Sequence, residues 1–121
     1  MTDAAIQAAW DRRAAAYEAY NLLPYDEAVG EYTPEEAAQW AIIDEAEKVI
    51  RSTVATSPIG VAIQLWTSLA HSLGTRDDEA ATLRRDLQYF DEREIELDWT
   101  DRLVIAAIRS LANQPVELER A

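Results

Sequence analysis

Apolar side chains recur along most of this chain at intervals of three and four, the spacing that sets them on one face of an α-helix. Over residues 3–23, Ile6, Trp10, Ala14 and Tyr17 define such a face, widened by Ala9 and Tyr20. Pro24 ends it, since proline has no amide hydrogen to continue the ladder and restrains the residue before it. A loop over 24–32 containing Gly30 follows. Thr33-Pro34-Glu35-Glu36 then reads as a capping box with proline at the first helical position. The second helix is expected to reach about Thr56. Ala38, Ile42, Ala46, Val49 and Thr53 line one face of it, with Ile43, Ile50 and Val54 beside them. Asp44 with Lys48, and Glu47 with Arg51, are acid-before-base pairs four residues apart, expected on a neighbouring solvated face.

Ser57-Pro58 repeats the cap-and-proline signal. From Pro58 to Leu73 the chain is apolar almost all round, with Gln64, Ser68 and His71 as a thin polar stripe, and a helix of that kind is normally central. Gly74 suits the left-handed position after a helix end. A fourth helix starts near Asp77 or Asp78 and carries Ala80, Leu83, Leu87 and Phe90 inward. Residues 91–98 read either as its continuation or as a short extended link. Asp98 is a good N-cap for a fifth helix from Trp99 to about Asn113, ended by Pro115. On it Leu103, Val104, Ala107, Ile108 and Leu111 are apolar, and Arg102 and Arg109 mark the wet side. The expectation is a single all-α domain over residues 1–121: a compact bundle of about five helices with helices three and five central.

Charge changes the picture most. The chain carries 23 acidic against 11 basic side chains, net −12, on a body 49 % hydrophobic. That apolar content is too high for a disordered acidic chain. The acid is uneven: residues 1–50 are net −8 and residues 75–101 net −6, while 51–74 and 102–121 are each net +1. Direct nucleic-acid binding is disfavoured, because affinity for a duplex comes mainly from neutralising phosphates. The stretch Val49–Thr75 has no acid, but its Ser57, Pro58, Gly60 and His71 make it too polar for a membrane span. With no cysteine and no basic, apolar leader at the N-terminus, a cytoplasmic protein is expected. Ten of the eleven basic residues are Arg, which together with the abundant Ala is read as the codon bias of a GC-rich genome.

No catalytic constellation emerges. The one histidine, His71, has Ser68 three residues before it, so the Glu-x-x-His pairs of a di-iron bundle are missing. No calcium loop, phosphate-binding glycine loop or nucleophile elbow occurs. Paired carboxylates such as Glu35-Glu36 and Asp77-Asp78 sit where helix N-termini favour negative charge. The expectation is therefore not an enzyme, with no catalytic residue, no cofactor and no metal. Tyr25, Tyr32 and Trp40 gather around the first loop, where rings either anchor a partner or fill the core. If the fourth helix continued past Arg93, Asp91, Glu94, Asp98 and Asp101 would form a negative row along one face.

Three stretches carry a resemblance: Ala9-Trp10-Asp11-Arg12-Arg13 followed by Tyr17, residues 50–60 from Ile50 to Gly60, and Asp101-Arg102-Leu103 running into Ala107-Ile108-Arg109-Ser110-Leu111. Together they resemble small helical proteins of alphaproteobacterial genomes, prophages and mobile elements. Val54 stands where those have proline, and the proline comes later, at Pro58. No activity is attached to that group, so no site residue carries over. The resemblance implies a setting in which small acidic proteins act on host or phage machinery.

The resulting expectation is a non-enzymatic protein-interaction domain. It would be an inhibitor or modulator of the anti-CRISPR kind, acting through acidic surface on a basic, nucleic-acid-binding protein, with no direct contact to nucleic acid or membrane. The partner-binding candidates are Glu27, Glu31, Glu35, Glu36, Asp44, Glu47, Asp91, Glu94, Asp98 and Asp101. The alternative is a structural or self-associating protein that uses apolar surface, with a homo-oligomer as its form.

Overall fold

A computed structural model describes residues 3–24 and 32–113, and among these every regular element is helical. The elements are α1 (Ala4–Leu22), α2 (Pro34–Ser52), α3 (Pro58–Ser72), α4 (Arg76–Leu83), α5 (Leu87–Asp91), a 3₁₀ turn (Glu94–Glu96) and α6 (Trp99–Ala112). The all-α expectation holds. Residues 4–54 form one compact unit; Asp3 with residues 55–113 belongs to a second.

Helices α2 to α6 each begin on a side chain that accepts a hydrogen bond from a first-turn amide, which satisfies a donor the helix itself leaves orphaned. Thr33 accepts from the Glu36 amide at 3.2 Å, and the Glu36 carboxylate accepts from the Thr33 amide at 2.8 Å, so the expected capping box is present. Ser57, Thr75, Asp86 and Asp98 play the same part for α3, α4, α5 and α6.

In the first unit α1 packs along α2. The buried positions of α1 are Ile6, Ala9, Trp10, Arg13, Ala16 and Tyr17, close to the expected face but with a cation inside it. On α2 the buried positions are Ile43, Ala46 and Ile50, while Ala38 and Ile42 are exposed, as is Val54 beyond the helix end. Packing on α1 buries Ala46 of the expected face together with Ile43 and Ile50 beside it. The helix also stops earlier than expected: Thr53 is extended, with φ −97° and ψ 128°.

Arg13 explains much of this unit. Its Nε donates to Oε2 of Glu47 at 2.8 Å, and its side chain is 1 % exposed. The guanidinium carbon lies 5.2 Å from the Trp10 ring centre and 4.8 Å from that of Tyr17, so the charge meets the negative faces of two rings. Its Nη1 is buried without a hydrogen-bond partner, as is Nε1 of Trp40. Glu47, expected on a solvated face with Arg51, thus also holds the buried Arg13.

In the second unit α3 packs chiefly on α6, α4 rests on α3, and α5 touches α6. Ile63, Trp66, Leu69, Ala81, Phe90, Ile105 and Ile108 are buried there. The expected fourth helix is broken. Arg85 stands at φ 53°, the Asp86 amide donates to Ala81 O at 3.0 Å, and the Arg85 amide donates to Thr82 O at 3.0 Å. That paired pattern is a Schellman closure, with arginine in the left-handed position glycine usually takes. Gly74, expected in such a position, is not left-handed, and Leu73 ends α3 in an extended conformation. Residues 91–98 are neither a continued helix nor an extended link: α5 ends at Asp91 and a 3₁₀ turn follows at 94–96.

Candidate interaction site

The start of α4, α5, the 3₁₀ turn and the start of α6 enclose a cleft of about 550 Å³ in the second unit. Asp77 and Asp78 reach it from the first turn of α4, where the capping Thr75 and the helix dipole favour acids. Asp98 and Asp101 come from the N-cap and first turn of α6, for the same reason. Glu96 completes five carboxylates, with Thr75, Tyr89 and Arg93 as the other polar walls.

Hydrogen bonds fix several of these groups. The Tyr89 hydroxyl donates to Oδ1 of Asp78 at 2.6 Å. That bond holds the phenol proton and, with burial and the nearby negative charge, pushes the Tyr89 pKa up to about 12. The Arg93 guanidinium lies over the Tyr89 ring, 4.5 Å from its centre, with Nη1 3.5 Å from Oε2 of Glu96. Asp101 is buried and its Oδ1 accepts from the Ser72 hydroxyl at 2.6 Å, while its amide donates to Oδ1 of Asp98 at 2.9 Å. Five acids against one cation among the described residues give the cleft a negative potential suited to a guanidinium or ammonium group. Among the described residues no group of three or more His, Cys, Asp or Glu side chains is placed to hold a metal ion. His71 is exposed on α3.

The expected acidic row is corrected by the break in the helix. Asp91, Glu94, Asp98 and Asp101 share no helical face, because three separate elements carry them. Asp91 pairs with Arg109, Asp98 caps α6, and Asp101 is buried against Ser72; Glu94 is exposed. In the other unit Glu35 and Asp44 are exposed, Glu36 closes the capping box and Glu47 holds Arg13. Glu27, Glu31 and Tyr25 lie outside the described residues. Tyr32 and Trp40 do meet, with ring centres 6.0 Å apart, and Tyr20 joins them at 5.3 Å from Trp40. Tyr32 keeps most of its surface in solvent.

Two features escaped the sequence reading. Tyr89 and Arg93 enter the acidic cleft because the Arg85 turn redirects the chain. Ile95, Trp99 and Leu103 are 87 %, 75 % and 55 % exposed. A signal for the latter existed: Trp99 and Leu103 are four apart, out of phase with buried Ile105 and Ile108. A further groove of about 480 Å³ between α3 and α6 is lined by apolar side chains, including Ile59, Trp66 and Leu111, together with Arg84 and Arg85 and no acid. Comparison of the chain with known protein families, with curated proteins and with solved structures finds no match. No helix of the described residues is long and apolar enough to cross a membrane.

Proposed function

We propose that this chain is a non-enzymatic interaction domain that presents acidic surface to a basic protein. The observation that carries the reading is the cleft of Asp77, Asp78, Glu96, Asp98 and Asp101, in which Arg93 is the only cation among the described residues. Net charge of −12 reinforces it by steering basic partners and repelling phosphate backbones. The finer reading is an inhibitor or modulator from a phage or mobile element, of the anti-CRISPR kind, which occupies the basic groove of a nucleic-acid-binding protein in the cytoplasm. The resemblance to helical proteins of alphaproteobacterial genomes and mobile elements supports that setting.

The test is capture of partners from nuclease-treated lysate on the tagged chain, at low salt and at 0.5 M salt, where the Debye length is roughly 4 Å. A nucleic-acid-handling protein held at low salt, released at high salt and lost with Asp77→Lys supports the reading. Partners indifferent to salt and to that reversal overturn it.

A further inference from the structure

A tryptophan left three-quarters in solvent is unusual, and Trp99 does not stand alone. Leu103 lies one turn further along the same face of α6. Ile95 is brought beside that turn by Arg102, whose Nε donates to Glu94 O at 2.9 Å and whose Nη2 donates to Ile95 O at 3.1 Å. The 3₁₀ turn is therefore tied to the start of α6, and the two joined elements carry three large, exposed apolar side chains, Ile95, Trp99 and Leu103.

The sequence around these side chains is acidic. Glu92, Glu94, Glu96 and Asp98, all exposed, flank Ile95 and Trp99 along the chain. The two nearby cations are engaged, Arg102 with backbone carbonyls and Arg93 with Tyr89 and Glu96. An aromatic anchor inside a charged rim is the common anatomy of a protein-binding hot spot. The charge decides the occupant. A second copy would bring two acidic rims together, and an anionic membrane surface would be repelled. A segment with apolar residues on one face and Arg or Lys beside them satisfies both parts of the surface.

We infer that Ile95, Trp99 and Leu103 form the docking stripe for one basic amphipathic segment of a partner protein. This rests on the reading of the chain as an acidic interaction domain, and adds to it the apolar anchor and the form of the partner's contact. The acids supply long-range steering and orientation; Trp99 supplies the contact that slows dissociation.

The test uses the full ¹⁵N-labelled chain and a designed helical peptide of Leu and Lys, about 18 residues long so as to span roughly 27 Å. Control peptides exchange Lys for Glu on the same Leu face, or Leu for Gln on the same Lys face. The expected result is a shift of the Trp99 indole resonance and of residues 94–103. Affinity is expected to fall on the order of tenfold in Trp99→Ser, in Ile95→Ser and with either control peptide. Both side chains are exposed, and a dispersed spectrum verifies that each variant folds. Salt-sensitive binding that ignores both substitutions overturns the docking stripe and leaves the acidic reading standing. Equal binding of the Lys and Glu peptides overturns the acidic reading as well. Absence of any shift overturns the stripe, as does a dimer of the chain alone that Trp99→Ser dissociates, since a second copy would then be its occupant.

Discussion

The Asp3 carboxylate occupies the space that a side chain on Gly60 would need. A Cβ built on Gly60 would lie 2.6 Å from Cγ of Asp3 and 3.0 Å from its Cβ. The carboxylate cannot move aside freely. Oδ1 accepts from the amide and hydroxyl of Thr56 at 2.9 and 2.8 Å, and Oδ2 accepts from the Ser57 amide at 2.9 Å and from the Ser57 hydroxyl. An acid thus closes the entry to α3, where the first-turn amides and the helix dipole favour negative charge.

Gly60→Ala is expected to destabilise the fold by overpacking, at about 1–3 kcal/mol. Its effect depends on Asp3 being in place. Adding Asp3→Ala should therefore cost less in the double variant than the two single losses summed, read as unfolding midpoints in a double-mutant cycle.

The Asp3 hydrogen bonds also set an acid limit. Bonds from Ser57 and Thr56 lower its pKa from 3.8 to about 2. Because the folded value is the lower one, the stabilisation is complete above pH 3.8 and is lost as pH falls toward 2. Acid titration of the folded chain followed by circular dichroism should show this loss, and Asp3→Asn should remove that part of the pH dependence.

Tyr89 gives the opposite window. Its phenol is raised from 10.0 to about 12, first by the hydrogen bond to Asp78. A raised folded value means stabilisation present below pH 10 and lost as pH climbs through 12. Ultraviolet titration of tyrosinate should show one late-ionising tyrosine, and Asp78→Asn should return it toward 10.

Glu47→Ala should be among the most damaging single changes in the first unit. It leaves the guanidinium of Arg13, 1 % exposed, without its carboxylate. Stranding one partner of a buried pair costs about 3–5 kcal/mol. The joint replacement Arg13→Met with Glu47→Leu should cost less than Glu47→Ala alone, measured by urea unfolding.

Arg85→Gly should stabilise the chain. Arg85 is exposed and holds φ 53°, a conformation that costs a residue with a side chain roughly 1–2 kcal/mol. Glycine adopts it without that cost, though it loses more backbone entropy on folding. The net expectation is a gain in stability of about 1 kcal/mol or less, read as a higher thermal midpoint.

Local chemistry was legible where it depends on a few neighbouring residues. Thr33-Pro34, Ser57-Pro58 and Asp98 start helices as read, because a side-chain oxygen meets an amide three residues on, whatever the rest of the chain does. The all-helical class followed from apolar spacing in the same way. The concentration of acid at residues 75–101 was plain from the sequence, and that is where the cleft forms.

What only the tertiary structure decided is which of several locally equivalent choices the packing takes. The sequence set Ala38, Ile42, Ala46, Val49 and Thr53 on one face of α2 with Ile43 and Ile50 beside it, and of these contact with α1 buries Ile43, Ala46 and Ile50. It allowed a continuous helix through residues 77–98. A left-handed arginine at 85 broke that helix and α5 ends at Asp91, so the expected row is dispersed: Asp98 and Asp101 line the cleft, while Asp91 and Glu94 do not. It marked Asp101 for the surface and Leu103 among the apolar residues of α6, and the structure buries the acid on Ser72 and leaves Leu103 exposed. Periodicity fixes only relative angles around one helix. Which angle faces inward is set by the neighbour it packs against, and that neighbour is far away in sequence.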